Sequence, residues 1–307
     1  MIRFVDFSKR YGEHRAVESL SATVEAGEVV ALLGPNGSGK TTCLKAVAGL
    51  IRPTSGRVFI GDPGCDPSSP PARAAISYLP QRAVFPEALT GLEVVEFYRR
   101  LRGVEASRTK TVLRLASLNG ASSRPVATYS GGMIQRLGLA VTALPDAAVL
   151  VLDEPTAALD PDGLCAFYGL VEERRRAGRT VVFTSHQLGD IERLADRFHL
   201  LIAGRLAASL TRSELSARLA DRGFLRLTLA SRVEGLLERV RAFAPEAAWS
   251  GAELVVPGPT QRRLLVLDAV RAAGGEVLRL ESEEARLDSL YRELVGAAVG
   301  GDGEALT

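Results

Sequence analysis

Residues 34–42, Gly-Pro-Asn-Gly-Ser-Gly-Lys-Thr-Thr, stand between the apolar run Val29, Val30, Ala31, Leu32, Leu33 and the helix-compatible Cys43, Leu44, Lys45, Ala46, Val47, Ala48. Glycines at 34, 37 and 39 let the backbone curl until several N–H groups converge. The start of a helix adds partial positive charge at the same point, so the turn is expected to cradle phosphate. Lys40 would reach the outer phosphates of a nucleotide, and the Thr41 hydroxyl would ligate Mg²⁺. The expected nucleotide site is therefore Gly34, Pro35, Asn36, Gly37, Ser38, Gly39, Lys40, Thr41 and Thr42.

A second apolar run, Val149, Leu150, Val151, Leu152, ends in Asp153 and Glu154. In a parallel sheet this is the edge at which a phosphate loop also emerges. Asp153 is expected in the Mg²⁺ shell, and Glu154 is placed to orient or deprotonate an attacking water. An acid pair at a strand end is ordinarily just solvated. Beside a phosphate loop it predicts hydrolysis.

The elements that must position these residues follow from apolar periodicity. Ile2, Phe4, Val5 and Phe7 open a strand that Tyr11 and Gly12 end in a turn, and residues 17–24 form a second strand. Gly49 closes the helix after the phosphate loop, residues 57–60 form a strand, and residues 61–71 form a surface loop rich in Pro, Gly, Ser and Asp. Residues 76–79 form a strand ending at Pro80 and Gln81. Helical periodicity over residues 91–102 and 108–118 marks a helical insert. Residues 148–152 and 180–184 have the length of buried strands with a helix over 164–177 between them, the alternation of a parallel sheet. Strands at 198–202 and 206–210 complete a large domain.

After about Thr211 the order becomes strand (224–229), helix (233–243), strand (253–256), helix (262–273), strand (276–280) and a final helix (282–295), with a Gly/Ala-rich tail over 296–307. The predicted fold class is α/β: a mainly parallel sheet with an antiparallel subdomain and a helical insert over 1–211, then a small α+β module, ferredoxin-like in order, over 212–307.

The 307-residue length fits two domains. A net charge of +2 with interspersed signs presents no basic face, so nucleic acid is not expected as a partner. Cys43, Cys65 and Cys165 form no C-x-x-C pair and have no clustered histidines, which points away from disulfides and a zinc site and toward a reducing cytosol. Residues 1–10 lack the core of a signal peptide, and no run approaches the roughly 20 apolar residues of a membrane span.

Tyr129-Ser130-Gly131-Gly132-Met133 lies upstream of Asp153 and Glu154. It resembles the signature motif of ATP-binding-cassette ATPases, usually L-S-G-G-Q. Gln81 resembles their Q-loop, Ala158-Leu159-Asp160 their D-loop, His186 their switch histidine and Tyr11 the aromatic that stacks on adenine. The motifs occur in the family's order over residues 2–210. Met133 and Ile134 depart from the pattern, where glutamine and a basic residue are usual. The backbone of Ser130, Gly131 and Gly132 would still bind phosphate, so the departure is expected to alter packing between subunits while activity is retained.

The resemblance implies an ATPase with ATP and Mg²⁺ as cofactors. Glu154, His186 and Lys40 would be catalytic, Thr41, Gln81 and Asp153 would hold the metal, and Tyr11, Gln81, Ser130, Gly131 and Gly132 would join the phosphate loop in binding nucleotide. It also implies a head-to-tail dimer, here with a second copy, since each ATP is sandwiched between one chain's phosphate loop and the other's signature. A multi-spanning membrane permease would dock on the 81–91 loop, with Phe85 and Leu89 as exposed anchors, at the cytoplasmic face of the membrane. The small C-terminal module is similar to that of ABC-2-type exporter ATPases. Residues 78–90 and 287–294 are similar to the ATPase that serves copper supply to nitrous-oxide reductase, implying a copper-related cargo. The alternatives are a soluble cassette ATPase acting on nucleic acid and a nucleotide-gated scaffold. The first lacks its long coiled-coil insertion or second cassette here, and the second is opposed by intact Glu154 and His186.

Overall fold

The computed structural model describes residues 1–185, 188–220, 223–258 and 262–283. The expected final helix from residue 284 onward, the tail and the 287–294 segment fall outside them, as does His186; Ser282 and Glu283, expected to open that helix, instead end a strand. The chain forms two compact units, Met1–Leu210 and Thr211–Thr307.

The first unit begins with strands β1 (Ile2–Tyr11) and β2 (His14–Val24), then β3 (Val29–Leu33), α1 (Lys40–Val47), β4 (Ser55–Ile60), α2 (Pro70–Ala75) and β5 (Ile76–Leu79). The insert follows as α3 (Gly91–Leu101), α4 (Ser107–Leu115) and α5 (Gly131–Ala143). The unit then runs through β6 (Val149–Leu152), α6 (Pro161–Arg176), β7 (Thr180–Thr184), α7 (Leu188–Leu194), β8 (Arg197–Ile202) and β9 (Arg205–Thr211).

β2, β1 and β4 make a three-stranded sheet whose pairings are antiparallel. The main sheet has six strands in the order β5-β6-β7-β3-β8-β9, and every pairing from β5 to β8 is parallel. β3, β6 and β7 are buried along their whole length, which is why they are unbroken apolar runs without alternation. Burying each Val or Leu side chain contributes about 1.5–3 kcal/mol, so the centre of the sheet is the rigid part of the unit. Leu32, Val151 and Val182 join Phe7, Leu20 and Leu44 in one core between the two sheets and α1. Because the central strands run parallel, the turns after β5, β6, β7 and β3 all leave from one edge.

The insert is anchored by local chemistry. Thr90 and Glu93 form a reciprocal capping box at the start of α3. Gly91 is required because a Cβ there would meet the Tyr129 hydroxyl at 2.2 Å, and that hydroxyl donates to Ala121 O at 2.8 Å.

Three features differ from the sequence reading. The second strand begins at His14 and not at Val17, because its polar start still pairs with Arg10 and Tyr11 of β1. The loop expected to reach residue 71 gives way to α2 at Pro70, where proline at the first helical position costs no hydrogen bond. The third is α5, the helix that begins directly at the signature glycines.

The second unit contains α8 (Arg212–Ala220), β10 (Phe224–Leu229), α9 (Leu236–Arg241), β11 (Ala248–Ser250), β12 (Glu253–Pro257), α10 (Arg262–Ala272) and β13 (Val277–Glu283). Its sheet order is β11-β12-β10-β13, antiparallel throughout, so β10 to β13 trace a β-α-β-β-α-β path of the split βαβ kind. Leu225, Leu227 and Leu229 alternate inward from β10 onto Leu236 and Val240 of α9 and Val266 and Val270 of α10. The short β11 carries too few residues to show a pattern, and sequence periodicity passes over it.

Candidate active site

The turn after β3 owes its shape to glycine. Gly34, Gly37 and Gly39 have φ of +145°, +80° and +98°. A Cβ on Gly34 would sit 2.1 Å from Leu201 O and 2.5 Å from Ser38 Oγ, and one on Gly39 would sit 2.5 Å from Ala16 O. Lys40 folds back to donate to Gly34 O at 2.8 Å and Pro35 O at 3.0 Å. Burial lowers its pKa, while Glu154 and then Asp153 pull it upward. The buried Ser38 hydroxyl has no hydrogen-bond partner among the described residues, so the cradle holds a polar atom that they leave unsatisfied.

Two strands of this edge, β6 and β3, are separated by β7, and the side chains bridge the gap. Thr41 donates to Asp153 Oδ1 at 3.2 Å, and Thr184 donates to the same oxygen at 2.9 Å. Thr184 also accepts the Glu154 N–H at 2.7 Å. Asp153 is 1% exposed, and its Oδ2 has no hydrogen-bond partner among the described residues. Burial raises the Asp153 pKa, the two threonine hydrogen bonds oppose that, and the Glu154 charge adds to it. A buried carboxylate with an unsatisfied oxygen beside a threonine hydroxyl fits a hard divalent cation. Gln81 donates to Glu154 Oε2 at 2.7 Å, so its amide is bound to the second carboxylate. Glu154 itself has φ of +47°, a left-handed conformation that a non-glycine residue adopts only where its surroundings impose it.

Beside them opens a cleft of about 420 Å³, lined by Tyr11, His14, Ala16, Asn36, Gly37, Ser38, Gly39, Lys40, Thr41, Thr42, Gln81 and Glu154, whereas Gly34, Pro35 and Asp153 lie behind its lining. Tyr11 is 47% exposed, with the Lys9 ammonium 5.2 Å from its ring centroid. Ser130, Gly131 and Gly132 are not among the lining residues. Ser130 instead caps α5, its hydroxyl accepting the Met133 N–H at 3.3 Å.

A family model described as "ABC transporter" matches residues 17–157. The chain is 33% identical over 305 residues to the ABC transporter ATP-binding protein YxlF of Bacillus subtilis, covering 97% of this chain and 100% of that protein. The chain belongs to the ABC transporter ATP-binding family. It is also 31% identical over 308 residues to the Nod factor export ATP-binding protein I of Burkholderia lata, across 96% of this chain and 97% of that one. Among solved structures, the dimeric ATP-binding cassette MJ0796 in a post-hydrolysis state bound to ADP and Pi matches with a TM-score of 0.64 and 25% identity, over 69% of this chain and 99% of that one. As an ABC ATPase the chain binds and hydrolyses ATP. These relatives give no support to a copper-related cargo.

In this ABC ATPase, the signature helix α5 is tied to the start of α6. Arg136 pairs with Asp160 at 3.2 Å, and Asp160 caps α6 by accepting the Gly163 N–H at 2.9 Å. The expectation of Phe85 and Leu89 as exposed anchors is corrected. Both are half-buried, and the Phe85 ring stands edge-on to Tyr98 with centroids 6.1 Å apart. The exposed large apolar side chains of this region are Val84, Leu92, Phe97 and Leu101, at 84%, 41%, 58% and 68%. Sequence reasoning also missed Thr184 and His14. Thr184 was signalled only by a polar residue ending an apolar strand, and His14 by nothing beyond its closeness to Tyr11.

Proposed function

We propose that this chain is the ATP-hydrolysing subunit of an ABC exporter, working as a head-to-tail pair of identical cassettes on a separate membrane permease. The observation that carries the reading is the division of the motifs. The phosphate loop, Gln81 and Glu154 line one cleft, and the signature residues Ser130, Gly131 and Gly132 do not. A second copy would supply them.

Within each cleft, residues 34–42 bind the phosphates, Tyr11 stacks on the base, and Lys40 leaves its carbonyl partners for the outer phosphates. Thr41 and Asp153 would hold Mg²⁺ with Gln81, and that ion would neutralise charge on the phosphates. Glu154, oriented through its backbone by Thr184 and through its side chain by Gln81, positions or deprotonates the attacking water.

No described helix is long and apolar enough to cross a membrane, so the permease would be another chain. The exposed apolar patch around Val84, Phe97 and Leu101 supports a docking surface for that permease, with the ATPase at the cytoplasmic membrane face as the reading that follows from it. Export as the direction is supported by the Nod factor export relative, matched over nearly its whole length.

Glu154→Gln tests the reading. Turnover is expected to drop by about 10²- to 10⁴-fold, the usual effect of a positioned acid–base group, while ATP binding persists. The trapped chain should run as a dimer with ATP but not with ADP. Adding Ser130→Arg should abolish that dimer by filling the space meant for the opposing phosphate. Wild-type turnover in Glu154→Gln would refute the catalytic role, and a monomer at every ATP concentration would refute the pairing.

A further inference from the structure

Asp190 of α7 is 2% exposed, and each of its carboxylate oxygens accepts a hydroxyl. Tyr168 of α6 donates to Oδ1 at 2.5 Å, and Ser185 donates to Oδ2 at 3.2 Å. The Arg193 guanidinium lies 4.1 Å from the Tyr168 ring centroid, so α7 grips the tyrosine at a second point. Tyr168 is kept in its donating, protonated form, because burial and then the hydrogen bond and charge of Asp190 push its pKa up to about 12. Ser185 directly follows Thr184, the last residue of β7. Thr184 in turn donates to Asp153 Oδ1 at 2.9 Å and accepts the Glu154 N–H at 2.7 Å. Phe183 meets Phe167 of α6 with ring centroids 6.0 Å apart, which puts α6 on the face of β7 opposite Thr184. The end of β7 is therefore fixed from both sides, by Asp190 on one and by the carboxylate-bearing turn on the other.

We propose that Asp190 is a positioning residue for ATP hydrolysis: braced by Tyr168, it holds Ser185, and with it Thr184, where the Asp153 and Glu154 carboxylates are set. The inference rests on the assignment of Glu154 to the attacking water. A buried carboxylate whose two oxygens are both engaged rigidifies the groups bonded to it. A shift at Ser185 passes to Thr184 through a single planar peptide unit. The phosphate cradle is shaped independently, by the glycines at 34, 37 and 39 and by the start of α1. Loss of the Asp190 carboxylate therefore misplaces Glu154 and leaves the cradle intact, so turnover slows while nucleotide affinity holds. Misplacement of a reacting group by about 1 Å costs on the order of 100-fold in rate, which sets the upper end of the effect.

The test is steady-state ATPase kinetics of the full chain beside calorimetric titration with ATPγS, in Asp190→Asn, Tyr168→Phe and Ser185→Ala. Asp190→Asn keeps the volume but turns one acceptor into a donor, so kcat should fall by about 10- to 100-fold while KM and ATPγS affinity stay within about twofold. Tyr168→Phe removes the brace and should lower kcat by a smaller factor at the same affinity. Adding Asp190→Asn to Ser185→Ala should cost kcat little further, because residues that act as a unit are not additive. Native kcat in Asp190→Asn, or in Tyr168→Phe if the first does not fold, with Glu154→Gln slow, would overturn the role of Asp190 and leave that of Glu154 standing. Losses that multiply in the double variant would exclude the route through Ser185, and kcat and affinity falling together would show a structural role alone; either overturns the proposal. Wild-type turnover in Glu154→Gln would overturn the assignment of the attacking water and this inference together.

Discussion

The Thr184 hydroxyl donates to Asp153 Oδ1 at 2.9 Å, and through the Glu154 N–H that it accepts it fixes both carboxylate-bearing residues from the strand lying between them and the phosphate loop. Thr184→Val keeps the shape but removes the acceptor of the partly buried Glu154 N–H and takes a donor from Asp153. A loss of about 1–3 kcal/mol in stability is expected, the penalty for such a group, accompanied by slower turnover. Thr184→Ser should recover most of both. Chemical denaturation and steady-state ATPase assays check this, and a Val variant with native turnover would show that β7 does not set the carboxylate geometry.

Glycines of the phosphate loop should differ in their tolerance of alanine. A methyl group added at Gly37 would meet open space, so only the left-handed φ is penalised there, by about 1–2 kcal/mol. Gly34 adds a collision with Leu201 O at 2.1 Å, and the backbone must move. Gly34→Ala is expected to unfold at lower denaturant than Gly37→Ala and to lose ATPγS binding. Equal stability of the two variants would contradict the close approach of β3 and β8.

Acid stability should depend on Asp146. Hydrogen bonding to Arg179 lowers its pKa, with further lowering from the Arg179, Arg174 and Arg108 charges. A depressed carboxylate contributes stability that is present above its ordinary value, about 3.9, and is lost as pH falls through the folded one. Asp146→Asn should therefore lose stability at neutral pH and show a shallower decline on acidification. The carboxylate is 63% exposed, so solvent screening holds the neutral-pH loss to about 1 kcal/mol or less. Thermal melts from about pH 3 to pH 7 would reveal the slope; parallel curves for variant and wild type would rule the contribution out.

The first compact unit should suffice for nucleotide binding. A chain ending at Leu210 keeps the cleft residues and the core of both its sheets. Its ATPγS affinity is expected to match the full chain within about twofold, a difference below 0.5 kcal/mol. A folded truncation that cannot bind nucleotide would move the boundary of the binding unit beyond residue 210.

The sequence by itself determined the chemistry and most of the architecture of the first unit. Gly34, Gly37, Gly39, Lys40, Thr41, Asp153 and Glu154 were legible because phosphate chemistry demands those residue types at fixed spacing after buried, unbroken apolar strands. The inward alternation of Leu225, Leu227 and Leu229 was legible for the same kind of reason, since one face of that sheet is covered. What depends on strands distant in sequence was not. Thr184 matters only because β7 lies between β6 and β3, and His14 lines the cleft only because the hairpin sets it across from Tyr11. Phe85 looked like an exposed anchor until packing against Tyr98 half-buried it and left Val84, Phe97 and Leu101 outside. Local spacing encodes which groups can act. Which of them meet, and which apolar side chains remain uncovered, is decided by strand order and side-chain packing, which no window along the chain contains.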